Sequence, residues 1–144
     1  MIISRFCLIN NIRHEIPHVK FEFKVNFISV FCNIVVNDTT AGNQDILQLG
    51  SDIRADQLWF RHVGSDLEVT VIGTSNSATI KNWYAGNQYH VELFKSGDGK
   101  TLIDSQVQNL VSAMASMSPP AVGQINLSPS DQATLNPVFA SNWA

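Results

Sequence analysis

The stretch HEIPH, residues 14–18, has the residue types and spacing of a zinc site. In the H-E-x-x-H pattern, two histidines one helical turn apart bind Zn²⁺ and the glutamate acts as a general base. Pro17 lies inside the span that would have to be helical, and an interior proline costs about 3 kcal/mol or more. If a helix begins at Pro17 instead, His14 lies outside it. Positions 21 and 24, where the extended pattern needs Gly and His, are Phe and Lys. We therefore predict two histidines around a turn and no zinc hydrolase.

Other catalytic constellations are equally weak. The sequence has no G-x-S-x-G elbow, phosphate-binding loop or dinucleotide fingerprint. His62 and His90 lie among predicted strands, where a half-exposed imidazole is the more frequent outcome than a catalytic base. Trp59 and Trp83 could form an aromatic binding shelf, but anchoring the core of a small sheet is the favoured interpretation. We predict that the protein is not an enzyme and has no catalytic residues.

Composition and charge restrict the partners. The chain has 144 residues, 44% hydrophobic and 15% charged, which suits one globular domain. Its net charge of −3, without a Lys/Arg cluster, argues against binding to nucleic acid or an anionic membrane. The longest apolar run, residues 27–36, is too short and too interrupted to span a bilayer, and the first residues lack the layout of a cleaved secretory signal. Cys7 and Cys32 match no metal motif, so a disulfide between them is allowed but not required.

The chain changes character near residue 37. Residues 1–36 carry a net charge of +2 and contain both cysteines and five of the eight phenylalanines, whereas residues 37–144 carry −5. We predict three parts: an atypical leader over 1–36, poorly ordered or unrelated in origin, a β domain with a capping helix over 37–117, and a polar C-terminal tail over 118–144.

Period-2 alternation predicts strands, the clearest being residues 20–25, 67–71 and 89–93, with shorter ones at 57–62 and 78–83. Turn sequences rich in Gly, Asn, Asp and Ser separate them at residues 63–66, 73–76, 85–88 and 96–100, and Asp98-Gly99 is the strongest hairpin signal. The predicted fold is mainly β: short stacked strands forming a β-roll end, a meander or a sandwich.

One amphipathic α-helix is predicted to cap this fold. Apolar residues recur at helical spacing over residues 104–117, with Asp104 or Ser105 as the N-cap and Pro119-Pro120 after the end. In the tail, Ser128-Pro129 can open a short helix that Asn136-Pro137 would close.

Residues 37–117 resemble the haemolysin-type calcium-binding protein related domain. The resemblance rests on GNQDILQLG (42–50), DQLWF (56–60), GSDLEVTVIGTSNSATIKNWY (64–84), DGKTL (98–102) and LVSAMA (110–115), which occur in the family's order. It implies a largely β, extracellular protein associated with the glycine-rich repeats of RTX proteins. It also implies export by type I secretion machinery through an uncleaved C-terminal signal, which the 118–144 tail would supply.

The resemblance further implies calcium as the bound ion. Stacked repeats bind Ca²⁺ between successive turns, through carbonyl oxygens and Asp carboxylates. Only one degenerate turn, TAGNQDIL (40–47), is present, and it would supply half a site. The predicted metal ligands are Gly42 through a backbone carbonyl, Asn43 through an oxygen and Asp45 through its carboxylate, with Asp66 a weaker candidate. An ordinary turn aspartate is an equally good interpretation of Asp45.

Two functions therefore remain open. One is a non-catalytic module of a secreted RTX-like protein that is associated with calcium and closes the end of a β-roll. The alternative is a calcium-independent module that binds protein or carbohydrate through Trp59, Trp83 and Tyr84. The missing tandem repeats and the break at residue 37 favour the hypothesis that the chain is a fragment whose upstream repeats were lost or replaced.

Overall fold

The computed structural model describes residues 21–25, 33–36 and 44–144. They form two four-stranded sheets and two α-helices. The strands are β1 Phe21–Val25, β2 Asn33–Val36, β3 Asp45–Leu49, β4 Leu58–Val63, β5 Asp66–Val71, β6 Ser77–Ile80, β7 Leu93–Lys95 and β8 Thr101–Ile103, and the helices are α1 Asp104–Met114 and α2 Pro129–Asn142. The predicted mainly β class with a capping helix is confirmed.

The strands alternate between the two sheets along much of the chain. One sheet has the order β1-β3-β7-β8 and the other β2-β6-β5-β4. The pairings β1–β3, β3–β7 and β2–β6 are all parallel, which requires the chain to cross to the other sheet between paired strands. The chain therefore winds from sheet to sheet, with β4 and β5 inserted before β6 in the second coil, and consecutive coils stack through backbone hydrogen bonds.

Three antiparallel hairpins, β4–β5, β5–β6 and β7–β8, complete the two sheets. Val63 pairs with Asp66 across a two-residue loop in which Gly64 has φ +62°, a value that glycine adopts without strain. β7 pairs with β8 across residues 96–100, which confirms the hairpin predicted from Asp98-Gly99. The turns predicted at 63–66, 73–76 and 96–100 all connect neighbouring strands in this way.

The strand predicted over residues 89–93 is wrong except at Leu93. Residues Asn87–Tyr89 form a 3₁₀ turn, and the strand is Leu93–Lys95. The alternation of apolar and polar residues misleads here because Val91 is buried without being paired in a β-sheet. His90 also bonds the carbonyl oxygen of Trp83 and so holds this segment against the preceding turn. The strand predicted over 78–83 ends at Ile80 because Asn82 turns the chain with φ +56°.

Helix α1 begins where predicted but without the predicted cap. The N-cap residue is Ile103, whose backbone is still extended and whose side chain makes no cap bond, because β8 runs directly into the helix. Asp104 occupies the first helical position, where a negatively charged carboxylate interacts favourably with the positive end of the helix dipole. The apolar face buries Val107, Leu110 and Met114. The helix lies against β4, with the Phe60 amide donating to Met114 Sδ at 3.2 Å.

Helix α2 opens as predicted, since Ser128 Oγ accepts from the Asp131 amide at 3.2 Å and Pro129 is in the first turn. Its predicted end at Asn136-Pro137 is wrong, because the helix continues through Pro137 to Asn142. The last turns bring Phe139 and Trp143, each at most 6% exposed, into the core. Burying two large aromatic side chains is worth about 3–6 kcal/mol and so offsets a proline penalty of about 3 kcal/mol.

A single hydrophobic core joins both sheets and both helices. The edge strand β8 is completed by Ala144, whose amide and carbonyl exchange hydrogen bonds of 2.9 and 2.7 Å with Thr101. The division at residues 36 and 117 stays a prediction. The largest fully buried side chains are Phe60, Phe94, Leu47, Leu58, Leu67, Ile80, Leu102, Leu110, Met114, Leu135, Val91 and Val107.

Candidate calcium site and its surroundings

Asp45, the predicted carboxylate ligand, is the first residue of β3. This strand lies between β1 and β7 in a parallel sheet, and Leu47 and Leu49 direct its apolar face into the core. Asp45 is only 3% exposed, whereas an ordinary turn aspartate lies in solvent. It begins the strand, and its assignment as a calcium ligand stays a prediction.

Glu92 is a second carboxylate beside Asp45, and sequence reasoning missed it. The Asp45 amide donates to Glu92 Oε2 at 2.6 Å, a distance typical of a charge-assisted bond. Glu92 precedes β7, and its carbonyl oxygen accepts from the Asp104 amide at 3.0 Å. In the sequence Glu92 looked like the exposed side of a strand, so no pattern linked it to Asp45. Parallel pairing of β3 with β7 brings the two residues together.

His90 and Asp104 form a separate pair nearby. His90 Nδ1 lies 3.1 Å from Asp104 Oδ2, and Nε2 lies 3.0 Å from the carbonyl oxygen of Trp83. The imidazole also stacks on the Trp83 ring, with centroids 3.9 Å apart and planes 10° apart. An aspartate–histidine pair can activate a nucleophile only if the second ring nitrogen faces that nucleophile. Here the second ring nitrogen of His90 faces a backbone carbonyl. The contacts of His90 therefore link the turns of residues 83–90 to the start of α1.

Asp66, the weaker calcium candidate, is occupied by other partners. Its carboxylate accepts from Lys81 Nζ at 2.7 Å and from the Asn82 amide at 2.9 Å. The hydrogen bond from Lys81 is the largest cause that lowers the pKa of Asp66 below its ordinary value of 3.8. These contacts join the β4–β5 hairpin to the end of β6. They satisfy the Asp66 carboxylate without a bound metal.

The aromatic residues do not form the exposed shelf of the alternative hypothesis. Trp59 and Trp83 are 3% and 4% exposed, which confirms the interpretation that they anchor the core. Tyr84 stacks on His62 with ring centroids 3.6 Å apart. Within the described part of the chain its buried hydroxyl has no hydrogen-bond partner, and burial raises the pKa of this phenol.

Several predicted features lie outside the described residues. They are Gly42, Asn43, the two histidines of HEIPH and both cysteines. Their predictions are neither supported nor opposed by the structure.

The described residues contain oxygen groups of the kind that calcium prefers. Ca²⁺ takes about six to eight oxygen ligands, commonly carboxylates and backbone carbonyls. Asp45 and Glu92 both carry carboxylates, and the Asp45 amide contacts that of Glu92, but residues 21–25, 33–36 and 44–144 contain no group of three or more His, Cys, Asp or Glu placed to hold a metal. The assignment of Asp45 to calcium therefore stays a prediction.

The fold and these contacts define a β-rich module whose chain alternates between two sheets, with the Glu92 carboxylate bound to the Asp45 amide at a strand end. Residues 66–105 match the sequence model of a family described as the haemolysin-type calcium binding protein related domain. The match runs from the first residue of β5 into the first turn of α1, and it confirms the predicted resemblance for this segment. Residues 42–45 precede it, so their assignment to calcium stays a prediction. No helix within the described ranges has the length and apolar character needed to cross a membrane.

Proposed function

We propose that the protein is a non-catalytic module of a secreted RTX-like protein, which binds calcium and closes one end of a stacked β structure. The observation that carries the proposal is the alternation of β1, β3 and β7 in one sheet with β2 and β6 in the other, all in parallel pairs. Calcium-binding β-rolls are built by the same winding, one turn after another.

The two ends of this winding differ, which supports a closing role. At one end β1 and β2 each pair on one side only within the described ranges, so their outer backbone groups could pair with another coil. At the other end the hairpins, both helices and Ala144 cover the last strands. Exposed strand edges promote association, and stacked repeats therefore need a terminal cap.

Calcium would bind where Asp45 begins β3. Asp45 and Glu92 would supply carboxylate oxygens, and Gly42 and Asn43 would supply further oxygens. Export without a cleaved N-terminal signal, through type I secretion machinery into the extracellular space, belongs to the same proposal. It is supported by the family match alone.

Thermal unfolding of the full chain in calcium and in chelator tests the calcium part. Extracellular calcium modules bind with dissociation constants of about 0.1–1 mM, so about 10 mM Ca²⁺ should stabilise the fold by about 1.4–2.7 kcal/mol. Asp45→Asn should abolish this gain. Asp66→Asn, which removes a carboxylate already bound by Lys81, should retain it. An equal gain in both variants would exclude Asp45 as a ligand, and no gain in the unmodified chain would exclude the calcium site.

A further inference from the structure

A small pocket lies between the first turns of α2, the loop before this helix and the turn that precedes β4. Its volume is about 160 Å³, roughly half of the 300 Å³ at which the usual range for drug-sized ligands begins. The lining includes Ile72 and Leu127, which are 5% and 8% exposed, and Ile125, which is 59% exposed. The space therefore suits a ligand of one small ring with an apolar face. We call it the α2 pocket.

The fold holds the walls of the α2 pocket in place. The Gly123 amide donates to the Gly73 carbonyl oxygen at 2.7 Å, and a Cβ on Gly73 would lie only 2.9 Å from Ile125 Cα. The loop before α2 therefore packs directly on this glycine. Gln132 Nε2 donates to the Leu127 carbonyl oxygen at 2.9 Å, which ties the same loop to α2. A site with walls already in place loses little free energy in ordering when a ligand binds.

The carboxamide groups of the α2 pocket have free hydrogen-bonding capacity. Within the part of the chain that the structure describes, the side chains of Asn126 and Asn136 make no hydrogen bond to protein groups. Gln132 uses its amide nitrogen on Leu127 and keeps its Oε1 acceptor. Each carboxamide presents both donors and an acceptor, and a hydroxyl group is likewise both donor and acceptor. A ring that carries several hydroxyl groups therefore matches these three side chains.

The charges beside the α2 pocket neutralise each other. Arg54 Nε donates to Asp56 Oδ1 at 2.9 Å, and Arg54 Nη2 lies 3.4 Å from Asp56 Oδ2. Because the guanidinium and the carboxylate face each other in this way, neither is left to pair with a charged ligand. An apolar ring without hydroxyl groups would cover the carboxamides without bonding to them. The lining therefore favours an uncharged, polyhydroxylated ring over an anion, a cation or a hydrocarbon.

We propose that the α2 pocket binds one neutral hexopyranose ring. The ring hydroxyls exchange hydrogen bonds with the carboxamides of Asn126, Gln132 and Asn136, and the C–H face of the ring lies against the apolar lining. The Arg54–Asp56 ion pair stays intact on binding. This site is independent of calcium and of the proposed function.

Nuclear magnetic resonance titration of the ¹⁵N-labelled full chain tests the proposal. The probes are the methyl glycosides of glucose, galactose and mannose, and the comparison compound is tetrahydropyran-2-methanol, a ring of the same size without the ring hydroxyls. We expect a dissociation constant of about 1–10 mM for at least one glycoside, and at least about tenfold weaker binding of the comparison compound. The largest shifts should be those of the side-chain amides of Asn126, Gln132 and Asn136.

Three variants separate this site from unspecific binding. Asn126→Ala and Asn136→Ala change exposed residues and should each weaken binding about fivefold or more. Asn87→Ala removes an exposed carboxamide outside the pocket and should leave the affinity unchanged.

Four results would overturn the proposal. They are no saturable shift with any glycoside up to about 50 mM, equal binding of tetrahydropyran-2-methanol, full affinity in both Asn126→Ala and Asn136→Ala, and saturable shifts of the pocket amides with sodium phosphate or acetate. The last result would identify an anion site in place of a sugar site.

Discussion

Asp98 holds the β7–β8 hairpin against a distant part of the chain, and its removal gives a quantitative test of the fold. Asp98 Oδ1 accepts from the Ala55 amide at 3.1 Å, although the residues are 43 positions apart, and from Ser96 Oγ at 2.5 Å. Ala55 is 2% exposed and Ser96 3%, so both donors lie in poorly hydrated surroundings. Asp98→Ala leaves the Ala55 amide without its acceptor, whereas Ser96 Oγ can still donate to the Lys100 carbonyl oxygen at 3.2 Å.

The expected loss follows from the hydrogen bonds. A bond to a charged acceptor is worth about 1.5–3 kcal/mol, and a buried donor left unpaired costs about 1–3 kcal/mol. Asp98 itself is exposed, so water can partly replace its carboxylate and the lower end of these ranges applies. We expect Asp98→Ala to lower the free energy of unfolding by about 2 kcal/mol. Asp98→Asn, which keeps an acceptor oxygen, should lower it by about 0.5–1 kcal/mol.

Urea unfolding followed by circular dichroism measures these differences, and thermal unfolding should show a drop of about 5–8 °C for Asp98→Ala. Asp56→Ala is the matched control, because Asp56 is an acidic residue in the same region whose ion pair with Arg54 is about half exposed. Such a pair contributes about 0–0.5 kcal/mol. If Asp98→Ala is no less stable than Asp56→Ala, the Asp98 carboxylate does not hold the β7–β8 hairpin against Ala55.

Four further substitutions test local features. Tyr84→Phe removes a buried hydroxyl without a partner and should raise the unfolding free energy by about 0.5–1 kcal/mol in urea; a loss above about 1 kcal/mol would show a missed partner. A Cβ on Gly97 would meet the backbone of residues 50 and 51, whereas one on Gly99 meets nothing; Gly97→Ala should therefore cost about 2–3 kcal/mol and Gly99→Ala about 1 kcal/mol, and equal thermal shifts would contradict this. Because the pKa of Asp66 is lowered on folding, its stabilisation is complete well above its ordinary pKa of 3.8 and is lost as the pH falls through the lower folded pKa. The difference in urea stability between the unmodified chain and Asp66→Asn should therefore shrink only on acidification, and a constant difference would refute the Lys81 contact.

Local signals predicted the regular parts of the fold. The hairpin turns depend on glycine and its neighbours, so Gly64 and Asp98-Gly99 located them without tertiary information. The apolar stripe of α1 likewise marks its buried face. The strand over residues 20–25 was predicted from alternation and is found as β1.

The errors arose where tertiary contacts override local preference. Pro137 predicts a helix end, but Phe139 and Trp143 gain more by burial than the proline costs. Asp is a common N-cap residue, so the sequence predicted Asp104 as a cap of α1. Because β8 leads straight into α1, the N-cap is instead one residue earlier, at Ile103. Glu92 carries no sequence signal at all, because it meets Asp45 only through pairing of strands 47 positions apart in the chain.

Isothermal titration of the full chain with calcium, compared with magnesium, shows whether the protein binds calcium at all. We expect one weak calcium site with a dissociation constant of about 0.1–1 mM, weaker binding of magnesium and loss of the calcium heat in Glu92→Gln. Absence of a calcium signal at millimolar concentrations, or a signal that Glu92→Gln and Asp45→Asn leave unchanged, would contradict it.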